Sequence, residues 1–242
     1  MEILEKIEII ELGLFFDETL VISDVHIGYE ESINRQGIML PRQQFEDIIK
    51  RLERIFKKLE KRRIGTIVVN GDLKDQFGGI SEQEWRNTLK FLDFLSRHAK
   101  RVIIVKGNHD AVLEPIARKR NIPIVDYYTK SDKIVLHGDK IADEIKNYKT
   151  IIIGHEHPAV SLKDGPRMET YKCFLKGKFN RKNLIVMPSF NSIVAGTDLF
   201  RDSILSPFLK KNLDNFEIFV VEDEIYDFGK LKNLRARLKN SG

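Results

Sequence analysis

Apolar positions along the chain fall into two kinds of run. Leu20 to Ile22, Thr66 to Val69, Val102 to Val105, Ile134 to Leu136 and Ile151 to Ile153 are short and rich in β-branched residues, which predicts buried strands. Phe45, Ile48, Ile49, Leu52, Ile55, Phe56 and Leu59 recur at helical spacing instead. They predict an amphipathic helix opened by Pro41 and running to about Lys61. Ser81 with Glu84 matches a capping box and predicts a second helix, containing Trp85, to about His98; a third begins near Asp110, which reads as its N-cap. Residues 3 to 23 read as two or three short strands with a hairpin turn at Asp17-Glu18. Beyond Pro158, strand-like runs at Met168 to Leu175, Leu184 to Met187, Phe216 to Val221 and Glu224 to Phe228 predict a second sheet packed on the first. The expected fold is α/β, a four-layer α/β/β/α sandwich of two packed mixed sheets.

Polar segments just after the five short strands carry the chemistry. They are Asp24-x-His26, Gly71-Asp72, Gly107-Asn108-His109-Asp110, His137-Gly138 and Gly154-His155-Glu156-His157, and they hold five of the six histidines. Sites in open α/β sheets form outside the carboxyl ends of strands, so five such ends can converge on one crevice. Because the segments span much of the chain and must meet, a single domain over residues 1–242 is expected. Residues i and i+2 of an extended strand share a face, which would let Asp24 and His26 bind one ion, and His155 and His157 reach neighbouring ions. Asp72 has two oxygens and can bridge. Carboxylate, carboxamide and imidazole donors suit Mn²⁺, Fe²⁺ or Zn²⁺, with Ni²⁺ or Co²⁺ also admissible, and no thiolate competes. The single cysteine, Cys173, reads as a small buried hydrophobe. His98, outside the motifs, reads as a structural residue at a helix C-terminus.

Charge and hydropathy narrow the class. The net charge is +5 and the pI about 9.1, with basic clusters at Lys50 to Arg63, Lys172 to Lys182, Lys210-Lys211 and Lys230 to Lys239. Such an excess fits either a solvated surface or attraction of a polyanion such as DNA. No apolar run approaches the roughly 20 residues that span a bilayer, and MEILEKIEIIELG does not resemble a signal peptide, so no membrane association and a cytoplasmic location are expected. Gly28 to Pro41 leaves the first site strand, and Tyr29, Asn34 and Arg35 there are candidate contacts to substrate.

The five blocks in this order resemble the calcineurin-like metallophosphoesterase superfamily. Around them, SDVHIGYEESINRQGIMLPR, NGDLKDQFGG, KGNHD, IIGHEHPAV and MPSFNSIVAGTD are similar to the SbcD-related, ICC-like branch, which includes the PdeM-type phosphoesterases associated with DNA ligase or Lhr-type helicases. The resemblance implies the metallophosphoesterase sandwich. It also implies one ion held by Asp24, His26, Asp72 and His157, a second held by Asp72, Asn108, His137 and His155, and Mn²⁺ as the first choice of metal. His109 would stabilise or protonate the leaving oxygen while a metal-bridging hydroxide attacks phosphorus in line. The implied function is phosphodiester hydrolysis, as a DNA endonuclease or nuclease in repair with a helicase or ligase partner. The alternatives are a phosphatase or small-molecule phosphodiesterase, or a metal-stabilised interaction module. One block departs from the branch: Gly71-Asp72-Leu73-Lys74-Asp75 has aspartate where that branch usually carries histidine. It resembles the GDxxD block of protein serine/threonine phosphatases, which implies that Asp75 accepts a hydrogen bond from His109, fixes its tautomer and raises its pKa.

Overall fold

The computed structural model describes residues 1–76, 79–110, 112–164 and 167–240. Phe77 and Gly78 of the NGDLKDQFGG stretch, and the side chain of Lys239 in the last basic cluster, lie outside that description. Each half of the chain builds one sheet. The first is β1 (Glu2–Leu4), β2 (Ile7–Ile10), β3 (Gly13–Phe16), β4 (Thr19–Ser23), β5 (Thr66–Asn70), β6 (Arg101–Val105) and β7 (Ile124–Val125), in sequence order. β1 to β4 form an antiparallel meander and β4 to β7 run parallel. The β3–β4 turn falls at Asp17-Glu18 as expected, both with positive φ (46° and 59°), the twist a tight hairpin requires. Between these strands lie α1 (Tyr29–Arg35), α2 (Gln44–Lys58), α3 (Glu82–Ser96) and α4 (Glu114–Arg118).

The second sheet is built from β8 (Tyr127–Lys130), β9 (Lys133–Leu136), β10 (Thr150–Ile153), β11 (Pro158–Asp164), β12 (Arg167–Phe179), β13 (Lys182–Val186), β14 (Thr197–Asp198), β15 (Glu217–Val221) and β16 (Ile225–Lys230), followed by α5 (Leu231–Asn240). Its path is β14-β11-β12-β13-β10-β9-β8, with β15 and β16 branching from β12. It is mixed: β9, β10 and β13 run parallel while β8, β12, β15 and β16 pair antiparallel.

Strand alternation sorts the core into layers. Val21, Val68 and Val105 join Val135, Ile152, Phe174 and Ile185 between the sheets. Their neighbours Leu20, Ile22, Ile67, Val69 and Ile104 face α2 and α3, meeting Ile48, Leu52, Ile55, Phe91 and Leu95. On the far side Ile134, Ile151, Ile153 and Val186 pack beneath Phe208, Leu209, Leu231 and Leu234. Strands covered on both faces must be apolar throughout, which is why the early blocks read as unbroken hydrophobic runs. Each fully buried aliphatic side chain contributes roughly 1.5–3 kcal/mol.

Register sets the site. Ser23 pairs with Asn70 and Asn70 with Val105 in the first sheet, while Leu136 pairs with Ile153 and Ile153 with Val186 in the second. Within each sheet the parallel strands therefore end in register, and the polar blocks begin at the next residues.

The helices differ in detail from the sequence expectation. α2 starts at Gln44 rather than Pro41, because Glu30 accepts the Gln44 amide hydrogen (2.9 Å) and the Gln44 side chain donates to the His26 carbonyl (2.7 Å). α3 carries the full capping box at Ser81 and Glu84, and Trp85 packs against the helix-side core. α4 begins at Glu114, so Asp110 is not its cap. His98 stacks on Phe56 with ring centroids 4.0 Å apart, and Cys173 is fully buried, which pushes its thiol pKa up. No helix among the described residues is long and apolar enough to cross a membrane.

Candidate metal centre

All seven candidate ligands lie just past strand ends, and the fold brings them together from both sheets. One group is Asp24, His26 and His157; another is Asp72, His137 and His155. In each, one nitrogen or oxygen per residue lies within 4.8 Å of the others. Asp24 Oδ1 is 3.3 Å from His157 Nε2. Asp72 Oδ2 is 3.4 Å from His137 Nε2, 3.8 Å from His109 Nε2 and 3.9 Å from His26 Nε2, so one carboxylate oxygen faces both groups. Asn108 Oδ1 lies 2.9 Å from His137 Nε2, and His155 Nδ1 lies 3.1 Å from the same nitrogen.

The route to this convergence is not the one strand geometry suggested. Asp24 and His26 lie beyond β4, and His155 and His157 beyond β10, so none sits in extended backbone. Five of the seven have positive φ: Asp24 55°, His26 47°, Asp72 43°, His155 64° and His157 49°. Left-handed backbone is uncommon outside glycine, although Asp, Asn and His tolerate it best. Strain of this kind persists where surrounding contacts over-determine it, and it clusters at functional sites. Two glycines show how tight the assembly is. A Cβ on Gly71, itself at φ +75°, would stand 2.0 Å from His137 Nδ1, and one on Gly154 would stand 2.0 Å from Ser23 Oγ.

Residues outside the motifs hold the loops in place. Asp110 accepts from the amides of Gly107 (2.9 Å) and Leu73 (3.1 Å), tying two ligand segments together; burial raises its pKa. Ser23 Oγ donates to Asp24 Oδ2 (2.6 Å), the His155 amide donates to the same carboxylate, and Ser189 Oγ donates to the Asp24 carbonyl (2.7 Å). Asp72 Oδ1 accepts from the His109 amide (2.9 Å). Glu84 both caps α3 and accepts from the amides of Asp75 and Gln76. Glu156, inside the last block, accepts from the amides of Leu205 and Ser206. Nothing in the spacing of Ser23 or Ser189 marks them beforehand; the capping-box spacing of Glu84 marks its place on α3 but not its hold on the Asp75 and Gln76 amides, and the motif position of Asp110 marks the residue, although its role is to tie two loops and not to cap a helix.

Asp75 departs from its expected partner. His109 Nδ1 lies 2.5 Å from the Asp75 carbonyl, not its carboxylate. The carboxylate is 3.3 Å from His26 Nδ1. The tautomer of His109 is set by the main chain, because only a protonated Nδ1 can donate to a carbonyl. Of the candidate substrate contacts, Asn34 uses both ends of its amide on Leu40 (2.6 and 3.1 Å), and Arg35 pairs with Glu31 (2.6 Å). Both serve the α1 turn. Tyr29 opens α1 and is half-buried.

The donor set fits divalent cations. His26 Nε2, His137 Nδ1 and His157 Nε2 are buried without hydrogen-bond partners among the described residues, an arrangement that is costly unless something coordinates them. Burial pulls the His137 pKa down, yet the hydrogen bond to Asp72 and the charges of Asp24 and Asp72 outweigh it and push it up to about 9. Burial likewise opposes ionisation of Asp72, and the surrounding imidazoles, His137 foremost, hold it well below the carboxylate range.

The family model for calcineurin-like phosphoesterases matches residues 18–214. This chain belongs to that family. Its fold and the metal-ligand chemistry of its site are those of a metal-dependent phosphoester hydrolase. Nuclease MPE from Pseudomonas putida has a similar structure, with TM-score 0.59 and 15% identity over 89% of this chain and 91% of its own. Vacuolar protein sorting 29 from Cryptosporidium parvum gives TM-score 0.38 and 14% identity over 88% and 97% of the two chains. A predicted phosphoesterase from Streptococcus pneumoniae gives 0.34 and 13% over 88% and 97%. No curated protein matches the chain in sequence.

Proposed function

We propose that this chain hydrolyses phosphodiesters, nucleic-acid strands among them, as a nuclease acting in DNA repair. The observation that carries the reading is the position of Asp72 Oδ2, within 3.9 Å of nitrogens from His26, His109 and His137. One ion would rest on Asp24, His26, Asp72 and His157, the other on Asp72, Asn108, His137 and His155. A pair of Mn²⁺ or similar ions supplies an activated water and neutralises charge on the phosphoryl oxygens when bound. With Nδ1 of His109 donating to the Asp75 carbonyl, Nε2, 3.8 Å from Asp72 Oδ2, is the nitrogen that would pass a proton to the leaving oxygen when the ring is an imidazolium. The Asp75 carboxylate orients His26, the usual task of an acid behind a ligating imidazole. That arrangement removes the contact on which the protein-phosphatase likeness rested.

Substrate class is supported by what surrounds the centre. A cleft of about 370 Å³ opens beside Asn108 and His137, rimmed by Lys106, Tyr127 and Lys140. The two lysines are exposed and can meet phosphates flanking the scissile one, with Tyr127 available to stack on a base. The Pseudomonas putida protein of similar fold is a nuclease, which agrees with this choice. Endonucleolytic action, and service beside a helicase or ligase, complete the proposal. The test is a set of initial rates at matched Mn²⁺ on a bis-nitrophenyl diester, its monoester, linear and circular single-stranded DNA, and a phosphopeptide. The diester and both DNAs should turn over, circles included. Efficient monoester or phosphopeptide hydrolysis with intact DNA would overturn it.

A further inference from the structure

A second charged region lies beside the first ligand loop. A cleft of about 1080 Å³ runs between α2 and β12, and Arg51, Arg54, Lys57, Lys58 and Lys172 line it. Acids line it too. Glu11 pairs with Arg54 and Lys58, while Glu60, Glu222 and Asp223 stand along the wall. Arg51 and Lys172 stand in no direct ion pair among the described residues; Glu11, Asp47 and Glu222 act on Arg51, and Asp24 on Lys172, only from a distance. Arg51 Nη1 is buried with no hydrogen-bond partner among the described residues, and its guanidinium carbon lies 5.9 Å from the centre of the Phe190 ring. Lys172 Nζ donates to the Ser189 carbonyl (2.9 Å), a neutral group. Burial, then the charge of Arg51, push the Lys172 ammonium down to about 7. Asn191, from the same loop as Ser189, holds a second buried donor, Nδ2, without a partner among the described residues.

Two neighbouring basic side chains that face one cleft, neither in a direct ion pair among the described residues, repel each other and are poorly solvated. An oxyanion placed there would accept from both and remove the repulsion, and Arg presents a forked donor suited to phosphate. The cleft also connects to the catalytic region by a short path, because Ser189 takes Lys172 on its carbonyl and gives its hydroxyl hydrogen to the Asp24 carbonyl.

We propose that the cleft between α2 and β12 is a second phosphate subsite, built on Arg51 and Lys172, which holds a backbone phosphate of the strand whose scissile phosphate lies at the metal centre. The choice of a strand rests on the phosphodiesterase reading; the subsite itself does not. A positive site away from the reacting atoms contributes affinity and register, not chemistry. Small diesters should therefore be indifferent to it.

The test uses the full chain, with and without added Mn²⁺. Calorimetric titration with inorganic phosphate in chelator should show binding in the wild type that weakens about ten-fold in Arg51→Gln and in Lys172→Met, the loss of one charged hydrogen bond. Arg51→Lys, which keeps the charge, should lose less and guards against misfolding. In loaded enzyme, Arg51→Gln should raise KM for a phosphodiester oligonucleotide about ten-fold with kcat unchanged, leaving both constants for the bis-nitrophenyl diester as they were. A methylphosphonate oligonucleotide should bind wild type and variant equally. No phosphate binding in chelator, or equal binding by all variants, would overturn the subsite. Loss of phosphate binding with unchanged oligonucleotide KM would overturn the strand as its source. If loaded wild type hydrolysed no ester while phosphate binding still depended on Arg51, the phosphodiesterase reading would fall and the subsite would stand.

Discussion

The metal centre and the basic cleft both contain buried charged or polar groups short of partners, but the fold builds them differently. At the centre, five residues hold left-handed backbone and two glycines allow contacts that no side chain could survive. At the cleft, Arg51 sits within a regular helix and Lys172 within a regular strand, and neither has positive φ. The contrast matches what each ligand demands. Metal coordination needs donors fixed in position, so the centre is held in strained loops that surrounding hydrogen bonds over-determine. A phosphate needs charge and a few donors, which long side chains on ordinary elements supply. Where backbone strain concentrates, chemistry is expected; where only side chains are unpaired, binding is.

Substitutions can break that contrast in order of size. Asp72→Asn should abolish turnover on every ester, because Asp72 Oδ2 stands between His26 of one ligand group and His137 of the other, while far-ultraviolet circular dichroism stays native; unfolding would instead make the residue structural. His109→Ala should slow diesters with basic leaving groups by about 10²–10⁴-fold and nitrophenyl esters much less, since help from an acid matters where the leaving oxygen is basic. Equal losses across leaving groups would assign His109 to binding alone. Asp75→Asn should weaken metal affinity about 10–100-fold, the usual effect of losing the acid behind a ligating histidine, and equilibrium dialysis would read it. An effect confined to leaving-group dependence would return Asp75 to His109.

The smallest effect is on stability. In metal-free protein the His137 pKa is raised from 6.5 to about 9, so its contribution is fully present below about pH 6.5 and is lost as pH rises through 9. The melting temperature without metal should therefore fall across that window. With metal bound the trend should reverse, because coordination requires the neutral ring. A flat metal-free profile would contradict the His137–Asp72 contact.

Much of this was legible before the fold. Runs such as Ile151 to Ile153 announced strands because both faces are covered, and the polar residues directly after them announced the site because parallel strands end in register. The spacing of Asp24 and His26 gave the correct neighbourhood for an incorrect reason, since proximity comes from turns with positive φ and not from an extended strand. The partner of Asp75 was illegible, because a sequence shows a carboxylate but not which way it faces. Arg51 and Lys172 stand 121 positions apart, each inside an unremarkable basic cluster, and only the packing of α2 beside β12 and the 189–195 loop joins them. α5 is hidden in the sequence as well, its few apolar positions being diluted by Lys and Arg.

In the proposed mechanism two ions act together across Asp72. Stepwise addition of Mn²⁺ to metal-free protein, with bound metal counted and diester hydrolysis measured at each step, tests it most directly. Activity should stay near zero through the first equivalent and rise with the second, reaching its plateau at about two ions per chain. Full activity at one equivalent, or two bound ions with no hydrolysis, would contradict it.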